Sequence, residues 1–327
     1  MQLTDINVIT KAQQWLSENR TIWLCTILKT YGSAPRPIGS IFLTDGDERV
    51  GSISGGCLED AFVNMIKQDK FLTPAELFTY GEHAVEQDIV RELPCGGTIR
   101  LLVEYFTPTK INHTAITHWL ELAQTQQAFL REIFFTNKTS ATKPLIDDSV
   151  QQVVETRESV QLAYAQVYSL LLVGIGQVTE HIAQLGLQAG FDVKVCDMRK
   201  ELASSWHFTK ANGGVDIHWQ SPDQFIERYA NKRSAVLALA HDPRVDDVAM
   251  MSVFDTPAFY IGAMGSIRTT DKRHERLKRI CSLSDAQLTR LIAPIGLNIG
   301  SKTPFEIAIS TMADIIRVRH GINKELL

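Results

Sequence analysis

The chain has no surplus of positive charge. Its 33 Lys and Arg face 37 Asp and Glu, a net charge of -4 over 327 residues, so the field of the whole molecule repels a polyanion and nucleic acid is not expected as a partner. Cysteine is scarce and scattered: Cys25, Cys57, Cys95, Cys196 and Cys281 form an odd set with no C-x-x-C pair, which argues against a disulfide framework and against a structural zinc site. No apolar run reaches the roughly 18 residues that cross a bilayer, and the first twenty residues show no basic segment followed by an apolar one. These features lead to the expectation of a soluble, cytoplasmic protein with no membrane partner. Repeats, low-complexity tracts and long charge runs are also lacking.

What is present is apolar residue in quantity, 44% of the chain against 21% charged, enough for two cores. The expected fold class is α/β, an N-terminal α+β domain with a β-rich core (1–160) followed by a C-terminal Rossmann-type parallel-sheet domain (161–327). The first half opens with a helix near 5–19, where Ile9, Ala12 and Leu16 recur at helical spacing. Strands follow at TIWLCTILKT, GSIFLTD, RVGSIS and TIRLLVEY, then a helix at 113–127 and a strand at 128–135, with the polar TNKTSATKP read as a loop. From Tyr168 strands alternate with helices: YSLLLVG, FDVKVCD, VDIHW, AVLALA and AFYIG read as a parallel sheet covered on both faces. Thr303, Pro304 and Glu306 spell a helix start with a capping box, and Phe305, Ile309, Met312 and Ile316 are expected on that helix's buried side.

Several short segments carry residue types suited to chemistry. Gly174-Ile175-Gly176-Gln177-Val178-Thr179 follows an apolar strand and opens an amphipathic helix, where glycines permit close backbone approach and helix-end amides can bind a pyrophosphate. Asp197, 23 residues after Gly174, stands where an acid would accept a ribose hydroxyl, a combination that favours NAD(H). Against it, Thr179 replaces the third glycine, and a Rossmann fold can keep its shape without a nucleotide. His241 follows AVLALA and is expected at the same crevice, with a plain surface-loop role as the alternative. In Ser54-Gly55-Gly56-Cys57-Leu58-Glu59 a thiol stands in the first turn of a helix, where the dipole favours the thiolate that binds a soft metal. Pro94-Cys95-Gly96-Gly97 pairs a second cysteine with glycines whose amides suit an anion. Each of these two turns, taken alone, also reads as a glycine turn with an incidental cysteine. Arg36, in the proline-stiffened GSAPRPIG, is a candidate bidentate phosphate contact. Residues 267–279, IRTTDKRHERLKR, read as a solvated helix face because Asp271 and Glu275 dilute the charge.

Taken in order, GSAPRPIG, GSISGGCLED, PCGGTIRLLVEY, LLVGIGQV, YIGAMGS and APIGLNIGSKTPFEIA resemble the XdhC/CoxI family of molybdenum-hydroxylase maturation factors, over about Thr26 to Arg319. The resemblance implies a chaperone that binds the molybdenum cofactor, supports exchange of an oxo for a sulfido ligand, and delivers the cofactor to an enzyme such as xanthine dehydrogenase. A cysteine desulfurase is implied as sulfur source, and a homodimer is compatible with this role. Cofactor contact then falls to Cys57, as the candidate metal ligand, with Gly55, Gly56 and Glu59 of its turn and with Cys95, Gly96 and Gly97. Gly174, Gly176 and Gln177 form the second glycine turn; Ile175 and Gln177 stand where the family usually has alanine and histidine, and Pro94 where it usually has glycine. The competing expectation is an NAD-dependent oxidoreductase resting on Gly174, Gly176, Asp197 and His241; its weakness is that no proton-transfer dyad accompanies His241.

Overall fold

The computed structural model describes residues 1, 3–31, 36–81, 98–125, 127–136, 140–145 and 151–324. The chain divides into two compact units, Met1–Gln166 and Val167–Leu327. In the first unit the described elements run α1 (Leu3–Ser17), β1 (Ile22–Tyr31), β2 (Ile41–Thr44), β3 (Arg49–Gly51), α2 (Cys57–Ile66), β4 (Ala75–Tyr80), β5 (Thr98–Phe106), α3 (Lys110–Gln124), β6 (Phe129–Phe134), β7 (Ala141–Pro144), β8 (Val153–Glu155) and β9 (Ser159–Tyr164). They build two antiparallel sheets, ordered β3-β2-β1-β5-β4 and β7-β6-β9-β8.

Alternation along β1 and β5 sorts side chains to the two faces of the five-stranded sheet. Leu24 and Leu102 join the core that holds Ile9, Ala12 and Leu16 of α1 and Trp119 of α3. Cys25, Ile99, Leu101 and Val103 join the opposite core with Leu58 and Phe62 of α2, as a period of two requires. Burial raises the Cys25 thiol well above its ordinary pKa, so it packs as a small hydrophobe. The two sheets are linked by a buried pair: Arg131 of β6 donates from both terminal nitrogens to Glu104 of β5 at 2.7 Å while its guanidinium lies 3.9 Å from the Trp119 ring centroid. The polar stretch expected to be a loop contains β7, an edge strand paired to β6; edge pairing uses backbone groups and needs no apolar side chains. Because β9 pairs with β6 along its length, the first unit continues to Gln166.

The second unit runs β10 (Ser169–Val173), α4 (Gln177–Gln188), β11 (Asp192–Asp197), β12 (Ile217–Trp219), α5 (Pro222–Tyr229), β13 (Ser234–Ala238), α6 (Pro243–Val253), β14 (Tyr260–Ala263), α7 (Ile267–Cys281), α8 (Asp285–Leu288), β15 (Leu291–Ile292) and α9 (Pro304–Arg319). All six strands are parallel in the order β12-β11-β10-β13-β14-β15, the doubly wound arrangement whose order reverses between β10 and β13. Strands β10 and β13 are buried throughout, since a core lies on each face. The α9 start is capped as expected, with Thr303 Oγ1 accepting from the Glu306 amide and Glu306 accepting from the Thr303 amide. Its buried side is the expected one only in part. Met312 is buried and Ile316 packs partly buried against the core, as expected, but Phe305 and Ile309 are exposed and Ala308, Thr311 and Ile315 are buried in their place, a stripe rotated toward smaller residues that let α9 approach α4 closely. Among the described residues no helix is long and apolar enough to cross a membrane.

Candidate functional site

In the first unit the Cys57 turn is built around an internal carboxylate. Glu59, the third residue of α2, is 3% exposed; its Oε1 accepts from Ser52 Oγ at 2.7 Å, the Ile53 amide at 2.8 Å and the Ser54 amide at 3.0 Å. Its Oε2 accepts from the Gly56 amide at 2.9 Å and from the Ser54 hydroxyl. Burial alone would raise this carboxyl, but the donors of Ser54, Ser52 and Ile53 outweigh it and hold its pKa down at about 2. Gly55 and Gly56 take φ of +89° and +141°, a region in which a side chain is strained, and the turn so formed makes Cys57 the first residue of α2. The Gly55 and Gly56 amides, expected to be open to a ligand, are engaged inside the turn by Ser52 and Glu59. Glu59 itself is a structural clamp rather than an exposed contact. Arg36 is exposed on the β1–β2 connection, and Cys95, Gly96 and Gly97 lie outside the described residues.

In the second unit the glycine turn stands at the carboxyl end of β10, where the sequence places it. Gly174 has φ +97°, and a Cβ there would meet the Ala240 backbone at 2.4 Å. Gly176 has open space around it, and α4 begins there without a side-chain cap. Thr179 is buried, its hydroxyl donating to the Gly174 carbonyl at 2.7 Å. Gln177 is the exposed first residue of α4.

Asp197 stands close by in a different role from the one expected. It is fully buried, accepting from the Ile175 amide at 2.9 Å and from the Arg199 amide and guanidinium at 2.8 to 3.0 Å. Burial opposes ionisation, yet the Arg199 and Ile175 donors lower its pKa below the usual carboxylate value. The carboxylate expected to receive a ribose hydroxyl therefore tethers the turn to β11. Cys196, next to it, is buried, and desolvation pushes its thiol to about 12.

His241 is exposed beyond β13 with φ +55° and lines a cleft of about 990 Å³. The cleft opens past the carboxyl ends of β13, β14 and β15, under Gly265-Ser266 and the loop Pro294–Ser301. Residues 267–279 carry the expected exposed face, which includes Arg268, Asp271, Lys272 and Glu275, and a buried face opposite it. Thr270, Arg273 and Leu277 are buried, and Arg268, Lys272 and Arg276 line the cleft. Their i, i+4, i+8 spacing sets the three cations on one stripe of α7; that spacing is the signal from which they could have been read. Asp246, also a lining residue, is 1% exposed and accepts from the Ala240 amide at 2.9 Å and from Arg273 at 3.3 Å. Burial is the main reason its carboxyl rises to about 6. Among the described residues no group of three His, Cys, Asp or Glu side chains could hold a metal ion.

Both regions fall within segments shared with known proteins. Residues 15–71 match the model of the XdhC and CoxI family, and residues 170–315 match that of the XdhC Rossmann domain. A probable xanthine dehydrogenase subunit from Bacillus subtilis (strain 168) is 27% identical over 97% of this chain and 98% of its own length. The molybdenum cofactor insertion chaperone PaoD of Escherichia coli (strain K12) is 25% identical over 90% of this chain and 83% of its own. The fold recurs in a crystal structure described as a xanthine dehydrogenase from Bacillus halodurans, with a TM-score of 0.73 at 20% identity over 98% of this chain and 97% of that one. With the Cys57 turn inside one family model, and the glycine turn and every cleft-lining residue but Lys324 inside the other, the chain belongs to the XdhC and CoxI family.

Proposed function

We propose that this protein binds the molybdenum cofactor and hands it to a molybdenum hydroxylase such as xanthine dehydrogenase, acting as a maturation chaperone. The relative named as a molybdenum cofactor insertion chaperone supports this reading. The observation that carries it is the Cys57 turn: a cysteine at the start of α2, on a backbone fixed by the donors that Glu59 gathers. A thiolate is a suitable ligand for a thiophilic metal, and the positive end of a helix favours that form. A turn locked before binding loses little freedom when the metal arrives. In this reading the carrier shelters the cofactor while a cysteine desulfurase supplies the sulfur for its oxo-to-sulfido exchange. The NAD-dependent alternative loses the acceptor it relied on, because both Asp197 oxygens are engaged within the fold.

The test is metal and pterin analysis of protein purified anaerobically from a molybdenum-replete host, with Cys57→Ala in parallel. Molybdenum and pterin are expected in near-equal amounts in the parent protein and at background in the variant. Undiminished molybdenum in Cys57→Ala would remove the thiol from the site.

A further inference from the structure

The Gly55 and Gly56 amides of the Cys57 turn are engaged by Ser52 and Glu59, so these two glycines offer no cradle for a phosphate. The second unit holds a cleft with the opposite character. Five cationic residues line it, Arg268, Lys272, Arg273, Arg276 and Lys324, against the single carboxylate of Asp246. Arg273 is committed to Asp246 and the Met264 carbonyl, and Arg276 to Asp247 at 2.7 and 3.0 Å. No carboxylate among the described residues lies within ion-pair distance of Arg268, Lys272 or Lys324. In a chain of net charge -4, this is a local reversal of sign inside a concave wall, where field lines concentrate.

The same wall carries apolar side chains. Ile267 and Ile299 line the cleft and are 72% and 59% exposed, the first being the residue directly before Arg268 in α7. The loop that brings Ile299 into place is pressed onto α9 at Gly296, which has φ +88° and where a Cβ would meet Ser310 at 2.7 Å. Cations with no ion-pair partner among the described residues, beside exposed branched side chains in a space of about 990 Å³, match a ligand with a phosphate at one end and a flat heterocycle at the other.

We propose that this cleft binds an organic phosphate of nucleotide or pterin size, its phosphate held by Arg268 and Lys272 and its ring laid against Ile267 and Ile299. The guanidinium of Arg268 can take two phosphate oxygens at once, and Lys272, one turn further along α7, supplies a point charge. Identification of the ligand with the phosphate end of the carried cofactor rests on the chaperone reading; the phosphate site does not.

The experiment is calorimetric titration of the full chain with inorganic phosphate, pyrophosphate and AMP, each separately, in the parent protein and in the double variant Arg268→Gln/Lys272→Gln. A second double variant, Lys278→Gln/Arg279→Gln, removes equal charge from α7 outside the cleft lining. Pyrophosphate should bind the parent and the control alike and the Arg268/Lys272 variant about tenfold or more weakly, with affinity falling as salt is added. AMP should bind the parent more tightly than inorganic phosphate does, through the ring. Equal affinity in all three proteins, an equal loss in both variants, or no binding to the parent would overturn the site. Molybdenum and pterin content of the Arg268/Lys272 variant then separates the two sources. Loss of both together with pyrophosphate binding identifies the cofactor's phosphate. Retained cofactor with lost pyrophosphate binding leaves the cleft a site for a different organic phosphate and detaches it from the carrier role.

Discussion

Glu59 illustrates how one buried carboxylate can fix the turn on which the proposed metal ligand, Cys57, stands. Its carboxylate collects hydroxyl and amide donors from Ser52, Ile53, Ser54 and Gly56, and a buried charge so satisfied holds the local backbone firmly. The carboxyl pKa is about 2 in the folded chain against an ordinary 4.5, so its contribution is fully present above about pH 4.5 and is lost as pH falls through 2. That contribution is on the order of 3 kcal/mol. Glu59→Gln should lower stability by a comparable amount in urea denaturation at pH 7 and flatten the acid limb of the stability curve between pH 2 and 4.5. An unchanged acid limb would show that the carboxylate does not hold the turn. The same substitution should reduce molybdenum retention with Cys57 still in place, because the thiol's backbone frame is loosened.

At the level of elements, the two glycines of the β10–α4 turn have separable duties. Gly174 lies against the Ala240 backbone at positive φ, whereas Gly176 is extended, with φ 163°, and open. Gly174→Ala should destabilise the second unit by about 2–4 kcal/mol, since strain and overlap act together, while Gly176→Ala should fold within about 0.5 kcal/mol of the parent. Thermal unfolding of the two variants checks this; similar midpoints would mean that the Ala240 contact yields at little cost. The parallel strands β10, β11, β12, β13 and β14 and the α9 cap are legible in the sequence because apolar runs, glycine turns and capping boxes are local signals. The α9 stripe is not, because side-chain size, set by how closely α4 approaches, selects Ala308 and Thr311 over Phe305 and Ile309. Strands β7, β8 and the two-residue β15 escape a sequence reading because they are short or polar, and β4 and β9 because their pairing with β5 and β6 defines them. The Cys57 turn and glycine turn can be located by motif, yet the roles of Glu59 and Asp197 as internal acceptors depend on folding back across several residues. Arg268, Lys272 and Arg276 are hidden when their stripe is averaged with Asp271 and Glu275, which line no part of the cleft.

Across the whole molecule, charge is unevenly placed. The sum is -4, but the cleft beyond β13, β14 and β15 is lined by Arg268, Lys272, Arg273, Arg276 and Lys324 against Asp246 alone, so average electrostatics and local electrostatics have opposite signs there. Beyond a Debye length of about 10 Å at 0.1 M salt the surface average is screened, and a small anion near the opening senses mainly the wall. A chromatographic consequence follows. At pH 7 and modest salt, above its pI of about 6.2, the protein should be retained both by an anion exchanger, through its acidic exterior, and by phosphocellulose, through this one face. Pyrophosphate should release it from the second resin at concentrations too low to displace it from the first. In Arg268→Gln/Lys272→Gln the phosphocellulose retention should vanish while elution from the anion exchanger moves only slightly later, which makes a column run a direct reading of where on this molecule the positive charge resides.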